Sequence, residues 1–107
     1  QGTTTGVSIK DRLATIKYLI NPKTRPEDLA RPGHMFPLRS AENGLKERQG
    51  HTEAAIELCK LANLYPAAVI CEMMNDGGEM ANDGEMDNFS KKYNIQAITI
   101  KGLLRKD

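Results

Sequence analysis

The sequence has 107 residues, of which 39% are hydrophobic and none is Trp, so it can bury one modest core and is predicted to form a single domain over residues 1–107. A formal net charge of +1, with basic and acidic residues interleaved, argues against a nucleic-acid partner. No apolar run is long enough to span a membrane, and the two cysteines fit a reduced, cytoplasmic protein better than a secreted one with a disulfide.

The first predicted element is a helix over residues 9–20. Ser8 followed by Asp11 resembles a capping box in which Asp replaces the usual Glu. Apolar residues then recur at helical spacing, namely Ile9, Leu13, Ile16, Leu19 and Ile20. Asp11 is therefore expected mainly to serve the start of this helix.

Residues 21–39 are predicted to be mostly loop, with one helical turn at 26–29 and a short strand at 35–38. Pro32 fixes one backbone dihedral and Gly33 frees the next, so this turn can direct His34 into a cleft. A hydrogen-bonded turn histidine without any function explains the spacing equally well.

A second helix is predicted over residues 52–62, because Thr52 can cap its start and Glu53 suits its first turn. Directly before it the chain places Arg48, Gly50 and His51. A guanidinium, a glycine backbone and the unpaired N–H groups of a helix start all favour an anion. The alternative is a capped surface helix that a chance histidine precedes.

The apolar run at residues 67–71 predicts a strand that is covered on both faces and ends at Glu72. A carboxylate in that position is a candidate acid or base, and an exposed Glu at a strand end is the alternative. A tight turn at residues 75–78, a helix at 83–93 and a strand at 95–100 follow. Strand, helix and strand in this order predict parallel pairing within one sheet.

Four blocks, at residues 3–12, 31–39, 48–55 and 69–81, together resemble the C-terminal half of the 3,4-dihydroxy-2-butanone 4-phosphate synthase family. The resemblance implies an α+β, α-β-α layered fold: a mixed sheet flanked by helices that lacks the N-terminal part of the family fold. It also implies a homodimeric lyase of riboflavin biosynthesis, which uses Mg²⁺ or Mn²⁺. Such an enzyme converts D-ribulose 5-phosphate to L-3,4-dihydroxy-2-butanone 4-phosphate and formate.

The resemblance also assigns roles to residues. It makes His51 a metal ligand, makes His34 and Glu72 the catalytic proton-transfer groups, and makes Thr5 and Asp11 secondary substrate contacts. The main substrate contacts that it implies are Arg48, Gln49, Gly50, His51, Thr52 and Glu72.

The family's other metal ligand and its acidic loop belong to an N-terminal half that is not found in this sequence. A catalytically incomplete fragment that only binds a sugar phosphate or dimerises is therefore the alternative function. A monofunctional parent and one fused to a GTP cyclohydrolase portion both fit the sequence.

Overall fold

The computed structural model describes residues 2–105 and divides the chain into two compact units, Gln1–Leu38 and Arg39–Asp107. The described residues form four α-helices and two single-turn 3₁₀ helices. They are α1 Ile9–Leu19, α2 His51–Leu61, α3 Asp83–Tyr93, α4 Ile100–Leu104, and the 3₁₀ helices Pro26–Asp28 and Gly44–Lys46. Across residues 2–105, every helix is too short or too polar to cross a membrane.

Local capping sets the ends of α1, as the sequence predicts. The Ser8 hydroxyl accepts a hydrogen bond from the Asp11 N–H at 3.1 Å, and Ile20 is the C-cap residue. The Asp11 carboxylate does not return the bond to Ser8, because it is engaged with residues that precede the helix. The predicted capping box is therefore only half formed.

The predicted helix at 83–93 is confirmed, and its caps explain its ends. The Asn82 side chain accepts a hydrogen bond from the Glu85 N–H at 2.9 Å, and Asn94 adopts a left-handed conformation with φ of 52°. Asn is among the few residue types that tolerate this conformation, so it stops the helix. Thr99 caps the short α4 in the same way as Asn82 caps α3.

The mixed sheet that the resemblance implies, and the parallel pairing that the patterns predict, are wrong for residues 2–105. Their single β-bridge is the antiparallel pairing of Met74 with Met80, which closes the predicted turn at 75–78. The predicted strands at 35–38, 67–71 and 95–100 pair with no other segment of the described chain. A strand is defined by hydrogen bonds to a neighbour, so an apolar segment without a partner does not become one.

The segment that was expected to be buried on both faces is exposed instead. Val69 is 64% exposed and Ile70 is 46% exposed. Cys71 is also exposed, contrary to its expected burial. The apolar composition of this segment suits a core, but residues 39–105 leave about half or more of the Val69 and Ile70 side chains exposed.

The most tightly packed part of the Arg39–Asp107 unit lies between the Gly44–Lys46 3₁₀ helix and α2. Leu45 and Ala54 are the buried hydrophobic residues of the described chain, and both belong to this contact. Glu53 is buried beside Ala54, with 1% of its surface exposed. The segment that leads into α2 is therefore anchored from both sides.

Candidate active site

The best-defined polar arrangement is built around the carboxylate of Glu53, the third residue of α2. Its Oε1 accepts a hydrogen bond from Arg48 Nη1 at 2.7 Å, and its Oε2 accepts one from the Ala41 N–H at 2.9 Å. The Ala41 N–H lowers the pKa of Glu53; burial opposes this, and Arg48 reinforces it. Glu53 is thus ionised at neutral pH and ties two ends of one loop together.

Gly50 lies directly beneath this ion pair and is the N-cap residue of α2. A Cβ at this position would lie 2.3 Å from Arg48 Nη1 and 2.6 Å from Glu53 Oε1. The predicted cap at Thr52 is wrong, because the helix begins at His51 and no side chain caps it. A capping side chain in place of Gly50 would displace the Arg48–Glu53 pair.

The α2 entry segment, residues 48–52, therefore combines two kinds of donor. Arg48 is exposed over 66% of its side chain, although one of its N–H groups is bound to Glu53. The first N–H groups of a helix have no partner inside it. His51 is exposed in the first turn of α2, and Gln49 is exposed beside Arg48. This arrangement can bind an anion.

A second buried carboxylate, Asp11, organises the Gln1–Leu38 unit. It is 3% exposed, and its Oδ2 accepts bonds from the Gly6 N–H at 2.9 Å, the Thr4 hydroxyl at 3.0 Å and the Thr4 N–H at 3.2 Å. The Gly6 N–H lowers the pKa of Asp11; burial opposes it, and the bonds from Thr4 act in the same direction as Gly6. Asp11 therefore holds the loop before α1.

The loop that Asp11 holds lies against His34. A Cβ on Gly6 would be 3.3 Å from His34 Cδ2, and Gly6 has a φ of +79°. His34 itself is exposed, and Thr5 occupies the same loop beside Gly6. The structure thus brings Thr5, Asp11 and His34 into one neighbourhood.

Glu72 is exposed just before the Met74–Met80 bridge, in the unit that contains the entry segment. No hydrogen bond joins its side chain to another residue within 39–105. The convergence of Glu72 with His34 and His51 on one pocket, which the resemblance implies, therefore stays a prediction.

The described residues do not by themselves form a metal site. Across 2–105 there is no group of three His, Cys, Asp or Glu side chains placed to hold a cation. Mg²⁺ prefers oxygen ligands in octahedral geometry, which a single imidazole at His51 cannot provide. His51 fits such an ion only as one ligand among several.

A family model described as 3,4-dihydroxy-2-butanone 4-phosphate synthase matches residues 1–106. The chain belongs to this family. A synthase of that name from Wigglesworthia glossinidia brevipalpis is 55% identical over 103 residues, which are 96% of this chain and 48% of the relative. The riboflavin biosynthesis protein RibBA of Aquifex aeolicus is 52% identical over 97% of this chain and 26% of its own length.

A solved structure agrees with the sequence relatives. The 3,4-dihydroxy-2-butanone 4-phosphate synthase of Candida albicans superposes with a TM-score of 0.91 at 47% identity, covering 97% of this chain and 54% of that one. The chain thus spans about half, or less, of the length of the family members that it matches. The family that the four blocks indicate is confirmed.

Two structural features of the synthase-family chain escape the sequence patterns. The sequence indicates only a first-turn charge at Glu53, yet this side chain is the partner of Arg48 and Ala41. No sequence pattern marks Gly6, although it lies against His34. An arginine two residues before the N-cap glycine and a glutamate three residues after it were the available signal for the first feature.

Proposed function

We propose that this chain is the C-terminal half of a 3,4-dihydroxy-2-butanone 4-phosphate synthase, a lyase of riboflavin biosynthesis. The reaction converts D-ribulose 5-phosphate to L-3,4-dihydroxy-2-butanone 4-phosphate and formate. Family membership and a TM-score of 0.91 to a synthase structure support the assignment. The observation that carries it is the α2 entry segment, where Arg48 is held beside an uncapped helix start.

In this proposal the entry segment binds the substrate. The remaining N–H groups of Arg48 and the first N–H groups of α2 are donors suited to phosphate oxygens. Gln49 and Thr52 add polar side chains, and Gly50 lets the substrate approach the backbone closely. Thr5 is a secondary contact, whereas buried Asp11 acts by holding the loop that carries Thr5.

His34 and Glu72 are the proposed proton-transfer groups. Forming an enediol requires one group to remove a proton from the carbon beside the carbonyl and another to deliver a proton to oxygen. Imidazole and carboxylate side chains can do both, and both residues are exposed in this chain and so accessible to a substrate. Gly6 and the Asp11 network orient the surroundings of His34.

A divalent cation, Mg²⁺ or Mn²⁺, belongs to the proposal with His51 as one ligand. Such an ion would hold neighbouring substrate oxygens and polarise a carbonyl. Its other ligands must come from the substrate or from outside residues 2–105, because no cluster of three ligands is found within residues 2–105. The imidazole of His51 would be held by the first turn of α2.

The proposed holoprotein is a cytoplasmic homodimer. Large apolar side chains that are exposed in this chain, such as Val69 and Ile98, support association with further polypeptide. Cys59 and Cys71 are unpaired thiols, which is compatible with a reducing compartment.

A segment exchange tests the proposal. Residues 1–107 replace the matching segment of the Wigglesworthia synthase, and formate release from ribulose 5-phosphate is measured with Mg²⁺. We expect activity, and a loss of about 100-fold or more for His34→Ala and for Glu72→Gln, as is typical of acid–base groups. Glu57→Gln removes a charge from the same helix as His51 and serves as the control. A folded but inactive exchange protein would contradict the proposal.

The second candidate is an incomplete module that binds a sugar phosphate without catalysis. The missing ligand cluster within residues 2–105 and the 48% share of the Wigglesworthia synthase favour it for the chain on its own. Phosphate binding that needs Arg48 but no divalent cation, in a chain that releases no formate, would distinguish it from the complete enzyme.

A further inference from the structure

The burial of Glu53 needs an explanation that helix formation does not supply. A buried carboxylate is costly unless each oxygen is paired, and here Arg48 and Ala41 supply one donor to each. The charge also lies in the first turn of the helix whose N-terminus is proposed to bind phosphate. A negative group near an anion site weakens binding unless it contributes something else.

The contribution of the Glu53 carboxylate is that it orients Arg48. The guanidinium has five N–H donors, and within residues 39–105 Nη1 is the nitrogen that has a protein partner. An unheld arginine at 66% exposure would sample many rotamers, which binding a ligand must then restrict. One bond of 2.7 Å to an anchored carboxylate restricts the guanidinium and leaves its other donors available for a ligand.

We propose that Glu53 is a positioning residue, which fixes Arg48 so that its remaining N–H groups and the N-terminus of α2 bind one phosphate together. The identity of that phosphate as part of ribulose 5-phosphate rests on the proposed function above. The pairing of Glu53 with Arg48 does not depend on the proposed function, because it follows from the geometry of Glu53, Arg48 and Ala41.

Gly50 supports this inference independently. A side chain there would collide with both members of the pair, at 2.3 Å from Arg48 and 2.6 Å from Glu53. Because Glu53 is buried and anchored by Ala41, the arginine is the group that would move. Because Gly50 has no side chain, the first N–H groups of α2 are also left uncapped. Gly50 therefore serves both parts of the proposed phosphate site, the Arg48 guanidinium and the start of α2.

The test uses the whole 107-residue chain labelled uniformly with ¹⁵N, and inorganic phosphate is the probe. In the unsubstituted chain we expect slowed exchange of the Arg48 guanidinium and phosphate-induced shifts at Arg48 and Thr52. Glu53→Gln should release the guanidinium and weaken phosphate binding by about ten-fold, because one charged hydrogen bond is lost. Glu57→Gln, one turn further along α2, should change neither quantity.

A thermodynamic cycle separates positioning from a merely structural role. If Glu53 acts through Arg48, Glu53→Gln should not weaken phosphate binding further once Arg48→Ala is present. Equal weakening in both backgrounds would overturn the proposal, as would an Arg48 signal that is already mobile in the unsubstituted chain.

Gly50→Ala is a second test that keeps the charges of both Arg48 and Glu53. It decides the question even if Glu53→Gln does not fold. It should release Arg48 and weaken phosphate binding as Glu53→Gln does, whereas Gly84→Ala, in the first turn of α3, should not. Unchanged binding in Gly50→Ala would count against the proposal. If Arg48 binds phosphate in this way but the segment exchange releases no formate, the proposed function fails and the positioning role stands.

Discussion

At the scale of single residues, the two buried carboxylates occupy the same position in their helices and bind the same part of the chain, the loop before the helix. Asp11 is the third residue of α1 and Glu53 the third residue of α2. Each accepts bonds from the chain that precedes its helix, Gly6 and Thr4 in one case and Ala41 and Arg48 in the other. In this chain a first-turn acid therefore fixes the loop that carries a candidate site residue.

The stability of both loops should depend on pH. The hydrogen bonds described above lower the folded-state pKa of Glu53 and Asp11 below their ordinary values of 4.5 and 3.8. The unfolded chain therefore binds protons more readily than the folded chain, so the stabilisation is complete above these values. It is lost as the pH falls below them and through the folded-state pKa values.

Urea unfolding followed by circular dichroism between pH 7 and pH 3 measures this dependence. We expect the urea concentration at the unfolding midpoint to decrease once the pH drops below about 4.5. This decrease should be smaller in Glu53→Gln, because that variant has no carboxylate to protonate at position 53. Glu57→Gln should keep the full pH dependence. Identical profiles for the two variants would show that Glu53 is not responsible.

The Arg48–Glu53 pair shows which part of the site the sequence could not provide. The sequence pattern places Arg48, Gly50 and His51 at one helix start, as the structure does, because capping and the helix dipole are local effects. It could not show that Glu53 points away from solvent, since the carboxylate binds the N–H of Ala41, which lies 12 residues earlier in the chain. Tertiary contacts therefore converted an expected surface charge into a positioning group.

At the scale of elements, the sequence predicts the helices well and the strands poorly, and the difference has a physical reason. The helices α1 and α3 begin and end within a residue of their predicted limits, because their hydrogen bonds and caps lie within the segment itself. The predicted strand at 95–100 has no such internal bonds, and its last residue, Ile100, begins α4. A pattern can indicate strand composition, but only a partner makes a strand.

The packing of α2 on the Gly44–Lys46 3₁₀ helix can be tested through Leu45. Leu45→Ala removes a side chain that is 6% exposed, and it should lower the free energy of unfolding by about 2–5 kcal/mol. Leu64→Ala removes the same atoms from a side chain that is 65% exposed, and we expect a change within about 0.5 kcal/mol. Urea unfolding of both variants makes the comparison.

The same variants connect packing with the site. Because Leu45 supports the segment between Ala41 and Arg48, Leu45→Ala should also loosen the Arg48–Glu53 pair. The Arg48 guanidinium signal should then exchange faster in Leu45→Ala than in Leu64→Ala. Equal signals would mean that the loop is held by Glu53 alone, without help from the apolar contact.

At the scale of the whole molecule, the chain follows the backbone path of a larger fold. It superposes over 97% of its length on the Candida albicans synthase, of which it covers 54%. Apolar side chains such as Ile70, Ile95 and Ile98 are about half exposed here. Their sequence patterns predicted a sheet because they are suited to one, and the described residues supply no strands to complete it.

Catalysis should therefore require more polypeptide than these residues. With ribulose 5-phosphate and Mg²⁺, we expect the 107-residue chain to release formate far more slowly than the Wigglesworthia synthase assayed beside it. The reason is that His51 alone cannot hold the cation, and residues 2–105 contain no group of three ligands.

Phosphate binding should nevertheless persist, because Arg48, Gly50 and the start of α2 form their arrangement within one unit. Isothermal titration with inorganic phosphate, repeated on Arg48→Ala, separates binding from turnover in the same preparation. Formate release by the chain at the rate of the Wigglesworthia synthase, abolished by His34→Ala, would show that residues 1–107 hold a complete site and would refute the requirement for further polypeptide.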